Sequence, residues 1–231
     1  MLPGGVPMNA LSLRRLSAAA LDFCLPRRCL LCREALEGDG PLCQRCEMTL
    51  PVTEEQAVQT GTHFDRCLSP VYYSGALRES FHRYKFGGHW HYSAIYARWM
   101  WECVRQWERD PFDLVTWVPV SLPRRLRRGY DQALRLARDL SRLGGLSLEG
   151  TLDKYRHNAE QSGTRSAEER RKNTRNVYRL RRGAEVMGKR VLLVDDIITT
   201  GSTLEEASRV LREAGAAEIV CVTLARTPRE G

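Results

Sequence analysis

The segment RVLLVDDIITTGST, residues 190–203, limits what this chain can fold into more than any other. Val191 to Val194 offer no polar side chain to either side of a strand, so that strand must be covered on both faces. Two acids follow directly, Asp195 and Asp196, and then Thr199, Thr200, Gly201, Ser202 and Thr203. Residues 203–214 have the spacing of an amphipathic helix that Gly215 ends. The acids are expected where the strand leaves the sheet at its carboxyl end, which is where open α/β sheets bind ligands.

The first N–H groups of a helix are unpaired and carry the positive end of its dipole. A glycine ahead of them lets the backbone approach an anion, and Thr and Ser hydroxyls add donors, so this turn reads as a phosphate cup. The acids cannot bind that phosphate, because like charges repel. They need sugar hydroxyls, a divalent metal, or both. A phosphate cup one short loop from a diol clamp matches a ribose 5-phosphate, with Mg2+ expected toward the other end of the ligand. A nucleotide-hydrolysing strand ending in acids would need a G-x-x-x-x-G-K-[ST] partner, which the sequence lacks. An ordinary capped helix accounts for Ser202 or Thr203, but not for two adjacent acids and four hydroxyl residues around a glycine.

The rest of the chain supports a sheet of this kind. DLVTWVPV (113–120) is a predicted strand that stops at Pro119, and residues 130–143 are a predicted helix. TLDKYRH and NVYRL are predicted strands flanking an Arg-rich polar stretch, 158–175, and AEIVCVTLAR is the last strand. Strands alternating with helices from residue 113 onward imply a mainly parallel, three-layer α/β domain. Upstream, CLSPVYY is a predicted strand, followed by helices around 75–86 and 90–108. In the second of these, Ile95, Trp99, Cys103 and Trp107 form an i, i+4 stripe expected in the core. Residues 52–66 are polar, lack a period and read as a linker.

Cys29, Cys32, Cys43 and Cys46 form a C-x2-C-x10-C-x2-C pattern, and two such knuckles supply the four corners of a tetrahedral zinc site. A redox C-x-x-C would follow a strand in a βαβ unit, and a disulfide staple belongs to secreted chains, so structural zinc is the expectation. Cys24, Cys67, Cys103 and Cys221 lie outside the pattern and read as small buried apolar residues. Residues 1–23 read as a short amphipathic helix with Leu13, Leu16, Ala20 and Leu21 on one face. A twin-arginine signal is the weaker reading, because Asp22 and Cys24 interrupt the apolar run after Arg14 and Arg15 and no small-residue cleavage site follows. No stretch approaches the roughly 18 uncharged apolar residues of a membrane helix, and a cytoplasmic location is expected. A net charge of +8 favours polyanionic partners, whether a nucleic acid, an anionic membrane surface or a phosphorylated small molecule. His82, His89 and His91 gather near Lys85, but their spacing fits no single helix face and argues against a metal site there. Lys85 either reaches a ligand or lays its stem along the surface.

Residues 191–203 resemble the PRPP-binding motif of type I phosphoribosyltransferases. The wider pattern resembles the ComF family, also called GntX-like, of competence-associated phosphoribosyltransferase proteins. It includes the cysteine knuckles, RYKFGG at 83–88, VPVSLPRRLRRGYDQALRLARDL at 118–140 and QSGTRSAEERRKN at 161–173. The resemblance implies a type I phosphoribosyltransferase fold, a mainly parallel sheet with helices on both faces and a small hood, the hood being built from 68–100, with or without the knuckles. It also implies a zinc-ribbon-like segment at 24–51 and a phosphoribosyltransferase domain at 67–231. PRPP would sit on Asp195, Asp196, Thr199, Thr200, Gly201, Ser202 and Thr203. Residues 119–129 are similar to the pyrophosphate loop, with Val120, Arg128 and Gly129 as binding residues, and 157–173 to the mobile loop over the site. Asp195, Asp196 and Arg156 would be catalytic, with Asp195 also a magnesium ligand. Asp131 departs from the pattern, since relatives more often carry Asn, and it adds a negative charge beside a pyrophosphate site.

The implied reaction is transfer of a phosphoribosyl group from PRPP to an unidentified, nucleobase-like acceptor, in association with competence and DNA uptake. Such chemistry needs positioning and charge stabilisation more than a covalent nucleophile. The alternatives are a non-catalytic PRPP or nucleotide sensor, or an accessory protein that binds single-stranded DNA or competence-machinery proteins. Arg124, Arg125, Arg127 and Arg128 in one segment, and Arg156, Arg165, Arg170 and Arg171 in the other, supply the basic groups, most of them expected on the solvated surface.

Overall fold

The structure, a computed structural model, describes residues 27–36, 38–53, 57–155 and 176–228. The helix expected over 1–23, Cys24, Arg156 and the stretch 157–173 lie outside the described residues. The chain divides into two compact units between Thr49 and Leu50.

The first unit is organised around its cysteines. The backbone turns tightly after Cys29, with the Arg33 amide donating to the Cys29 carbonyl at 2.9 Å and Arg33 itself in the left-handed region at φ 69°. A one-turn helix, α1 (Gln44–Met48), starts at Cys43 and carries Cys46. Arg45 bonds Glu34 across the unit at 2.8 Å.

The second unit contains a six-stranded sheet. Its strands are β1 (Val58–Gln59), β2 (Arg66–Leu68), β3 (Val71–Tyr72), β4 (Leu114–Trp117), β7 (Arg190–Ile198) and β8 (Glu218–Arg226). The order is β1-β2-β8-β7-β4, with β3 also on β8, and every pair is parallel except β1 with β2. Between β4 and β7 in sequence, β5 (Leu152–Lys154) and β6 (Tyr178–Leu180) form a separate antiparallel pair, matching the two predicted strands. The helices are α2 (Gly75–Phe86), α3 (Ser93–Trp107), α4 (Leu122–Arg128), α5 (Gln132–Gly144) and α6 (Ser202–Glu213).

Val191 to Val194 are fully buried, as an apolar run in a central strand requires. Strand side chains alternate, so Val191 and Leu193 share a core with Leu204, Ala207 and Leu211 of α6. Leu192 and Val194 point to the other face, where α3 and α5 pack on each other and on the sheet. The result is the three-layer α/β architecture expected, with helices on both faces.

Three local expectations are corrected. Residues 52–66 are no free linker: Val52 bridges Val71, and β1 and the start of β2 extend the sheet. The buried face of α3 is Ser93, Tyr96, Ala97, Met100, Cys103 and Val104, so of the predicted stripe only Cys103 is fully in the core. Trp107 is 40 % exposed at the end of α3. Of the residues expected to build the hood, β3 joins the main sheet and α3 belongs to the helical layer, leaving α2 and the 3-10 turn Trp90–Tyr92. Of the cysteines outside the pattern, Cys67, Cys103 and Cys221 are buried and form no disulfide, as expected. Burial pushes the Cys67 thiol up to about 12 and the Cys103 thiol up to about 11.

Ion pairs fix the amino ends of three parallel strands. Arg66 at the start of β2 bonds Glu108 at 2.8 Å and also pairs with Glu218, the first residue of β8. Arg190, which opens β7, pairs with the same Glu108 and Glu218 and stacks over Phe112 at 4.3 Å. Glu108 is almost wholly buried, so its carboxylate needs both cations.

Candidate functional site

The site lies at the opposite, carboxyl end of the sheet. Pairing of β4 with β7 stops at Trp117 and Val194, whereas β7 continues along β8 to Ile198. Asp195 and Asp196 therefore stand beyond the end of β4, within a strand still held on its other side. The amide of Asp196 donates to Oδ1 of Asp195 at 2.8 Å, and Lys85 of α2 bonds Oδ2 of Asp196 at 2.7 Å. Burial, and then the neighbouring Asp196 charge, raise the Asp195 carboxyl well above the usual carboxylate range.

The turn after β7 brings the predicted cup residues together. Gly201 takes φ 78° and precedes the first turn of α6, a conformation costly for any residue with a Cβ. Thr200 and Ser202 hydroxyls lie 3.1 Å apart, and the Ser202 amide faces Thr200 Oγ1 at 3.5 Å. The helix carries on for 12 residues, so the positive end of its dipole lies at this turn. Glu205, in the first turn, accepts from the amides of Thr62 at 2.7 Å and His63 at 3.0 Å, tying the segment after β1 to the cup. A cavity of about 370 Å3 opens beside the cup, lined by Gln59, Thr199, Thr200, Arg226 and Thr227 among others. Arg226, at the end of β8, is a buried arginine in its wall.

The stretch from 119 to 129 is helical over α4 and closes at Gly129, φ 78°. Val120 donates its amide to Oδ2 of Asp131 at 3.3 Å, and the Leu134 amide donates to Oδ1 at 3.0 Å. The carboxylate that departs from the family pattern is thus the N-cap of α5, a cap Asn also provides, although only a carboxylate accepts one amide on each oxygen. Arg128 donates to Gln132 at 3.0 Å and lies over the Phe86 ring at 4.9 Å. A pyrophosphate would have to draw it from those partners.

The four zinc-ligand candidates converge. Their sulfurs all lie within 4.8 Å of one another, and Cys32 and Cys43 are 3.6 Å apart. Thiolates at about 2.3 Å from a tetrahedral zinc are separated by roughly 3.8 Å, so this cluster fits the ion. Burial raises the Cys29 thiol, but amides of Cys32, Cys43 and Leu31 outweigh it and bring the thiol down to about 6.

Sequence reasoning left Lys85 open and passed over Gln59 and Arg226. Only the adjacency of KFGG to a helix end hinted at the first. The other two become site neighbours through strand register, which the sequence does not state.

Residues 126–231 match the phosphoribosyl transferase domain family and residues 20–70 the double zinc ribbon domain family. The chain is 32% identical over 208 residues to "Competence protein F" of Haemophilus influenzae, covering 86% of this chain and 90% of that protein. It is 29% identical over 209 residues to "DNA utilization protein YhgH" of Escherichia coli K12, with the same coverage. Among solved structures, an allosteric regulatory enzyme of purine biosynthesis aligns at 29% identity and TM-score 0.39, over 57% of this chain and only a quarter (25%) of that one.

Proposed function

The chain belongs to the competence protein F (ComF) family, with a phosphoribosyl transferase domain and an N-terminal zinc ribbon, and from that premise we propose that it binds PRPP and transfers the phosphoribosyl group to an acceptor. One observation carries this reading: the acid pair stands past the end of β4, one short turn from the left-handed Gly201 and the amino end of α6. An anion and a diol can be held there together.

In this reading the amides and hydroxyls of Thr199 to Thr203 hold the 5-phosphate, and Asp195 and Asp196 accept hydrogen bonds from the ribose hydroxyls. Both acids lie where cationic character grows as C1 parts from pyrophosphate, and they stabilise that charge. The bond from C1 to the pyrophosphate oxygen breaks with its electron pair on the leaving group, a ring nitrogen of a nucleobase-like acceptor closes on C1, and the proton that nitrogen carried passes to the released pyrophosphate or to water. Mg2+ bound with PRPP would neutralise the departing pyrophosphate, and Asp195 is the residue that would touch it. Val120, Gly129 and Arg128 are the candidates for that end of the ligand, and Arg156 for a catalytic cation. A protein that uses PRPP would act in the cytoplasm, where that metabolite is made; among the described residues no helix is long and apolar enough to cross a membrane.

The experiment is pyrophosphate release from Mg2+–PRPP against a panel of nucleobases, alongside calorimetric binding of PRPP. Release with one base class establishes transfer. Binding without release across the panel makes the protein a PRPP sensor instead. Absence of binding with metal-replete protein overturns both.

A second role in DNA uptake is favoured by a specific surface. Arg135 lies over Trp90 at 4.7 Å and over Tyr130 at 5.3 Å, near Arg128 on Phe86. Phe86 and Trp90 are half exposed, and stacked rings interleaved with arginines suit single-stranded DNA. Affinity for an oligonucleotide that falls steeply with salt supports this role, and equal binding of neutral polymers removes it.

A further inference from the structure

The acid pair has four carboxylate oxygens, and the fold has already committed two of them. Oδ1 of Asp195 accepts the amide of Asp196, and Oδ2 of Asp196 is held by the Lys85 ammonium. Among the described residues, no hydrogen bond or ion pair engages Oδ2 of Asp195 or Oδ1 of Asp196. One oxygen on each acid is left, for a ligand that carries two neighbouring hydroxyls.

Lys85 is not a casual surface partner. Its side chain is 20 % exposed and that of Asp196 17 %. The ammonium also lies 4.8 Å from the centre of the Phe81 ring, so it is held between an aromatic face and a carboxylate. The helix that carries it is fixed in turn. Leu77, Phe81 and Tyr84 of α2 are buried, and the Tyr84 hydroxyl donates to the backbone carbonyl of Gln132 at 2.9 Å. Gly87 ends the helix one residue after Phe86, where a side chain would come within 2.8 Å of the Arg83 carbonyl oxygen. A lysine stem with four rotatable bonds is thereby reduced to one use.

We propose that Lys85 is the positioning residue of the acid pair: by occupying one oxygen of Asp196 it sets the orientation of that carboxylate, so that the two remaining oxygens match the two hydroxyls of a ribose and the site distinguishes ribose from 2-deoxyribose phosphates. The inference rests on the ribose-phosphate reading above and adds to it the group that enforces sugar selectivity. Without Lys85 the Asp196 carboxylate turns freely, a single hydroxyl is satisfied as well as a pair, and selectivity falls while the phosphate contacts stay.

The test compares ribose 5-phosphate with 2-deoxyribose 5-phosphate by calorimetry on the full, zinc-loaded chain. The wild type is expected to prefer the ribose sugar by about 10-fold or more, since a site built for a hydroxyl rejects its absence. In Lys85→Met that preference is expected to fall to about 2-fold or less through weaker ribose binding, with deoxyribose affinity held. Lys85→Arg is expected to restore it. If Lys85→Met weakens both sugars equally, or leaves the preference intact, Lys85 is only a structural anchor and the inference is overturned. If the wild type binds neither sugar phosphate, the ribose-phosphate reading itself fails and takes the inference with it. Melting curves check that the variant is folded, and Lys85→Gln carries the same comparison if Lys85→Met is not.

Discussion

Asp131 holds the amide of Val120 and the first turn of α5 with the same carboxylate, at 3.3 Å on one oxygen and 3.0 Å on the other. The end of the β4 segment and the start of the next helix are thus joined through a single buried acid. The chain pays for this with a charge in a poorly solvated place: burial, ahead of any neighbour, raises the Asp131 carboxyl above its ordinary range.

The sign of the pH effect follows. A carboxyl whose folded pKa is raised contributes stability that is complete below its unfolded value of about 3.9 and is lost as pH rises through the folded value. Asp131→Asn keeps the cap on Leu134 and removes the charge, but its NH2 cannot accept the Val120 amide, so its melting point should gain on that of wild type as pH rises from 4 to 8. Asp131→Ala removes the cap as well and should lose about 1 kcal/mol near pH 4, a loss that shrinks as pH rises because the charge penalty goes with the carboxyl. Thermal melts of the three proteins across that range check both statements.

Replacing both site acids, Asp195→Asn with Asp196→Asn, should abolish PRPP binding, at least about 100-fold in Kd from two lost charge-assisted bonds, with the fold retained. Calorimetry and circular dichroism on the same sample decide between a binding and a structural role, because an unfolded double variant would make the pair structural.

Gly201→Ala tests the cup. A Cβ there meets only ordinary contacts, 3.7 Å from Ile198 and 3.8 Å from Gln59, so any cost comes from the left-handed backbone at φ 78°. That cost is about 1–2 kcal/mol, and the turn should relax away from its left-handed form. Stability loss of that size together with weaker binding of inorganic phosphate is the expected result.

Cys29→Ser should lose zinc while the melting transition of the second unit stays in place, because Cys29 belongs to the unit that ends at Thr49. Metal analysis of the purified variant and calorimetry of its unfolding check the two halves of that statement.

Met100→Ala should cost about 2–5 kcal/mol and Trp107→Ala far less, since the first is fully buried and the second 40 % exposed. Urea unfolding of the pair measures the difference.

This last contrast shows where sequence reading ran out. The run from Val191 to Ser202 was legible because strand, acids, glycine and helix start are contiguous, and local chemistry decides each of them. The cysteine spacing was legible for the same reason. In α3 two stripes compete, one with two tryptophans and one with Tyr96, Ala97 and Met100, and hydrophobicity alone favours the wrong one. Which face turns inward depends on the neighbouring α5, and small residues such as Ala97 allow the closer approach. β1 was missed because a two-residue strand has no period to detect. Lys85, Arg226 and Gln59 become neighbours of the site only through long-range register and helix packing, and no spacing rule reaches that far.

The crossed pairs of Arg66 and Arg190 with Glu108 and Glu218 lock strand alignment at the end of the sheet away from the acids. Register set there leaves the opposite rim unburdened by any duty to keep the strands in step. Side chains around the cup can be randomised without loosening the strand alignment, provided those two arginines and two glutamates are left alone.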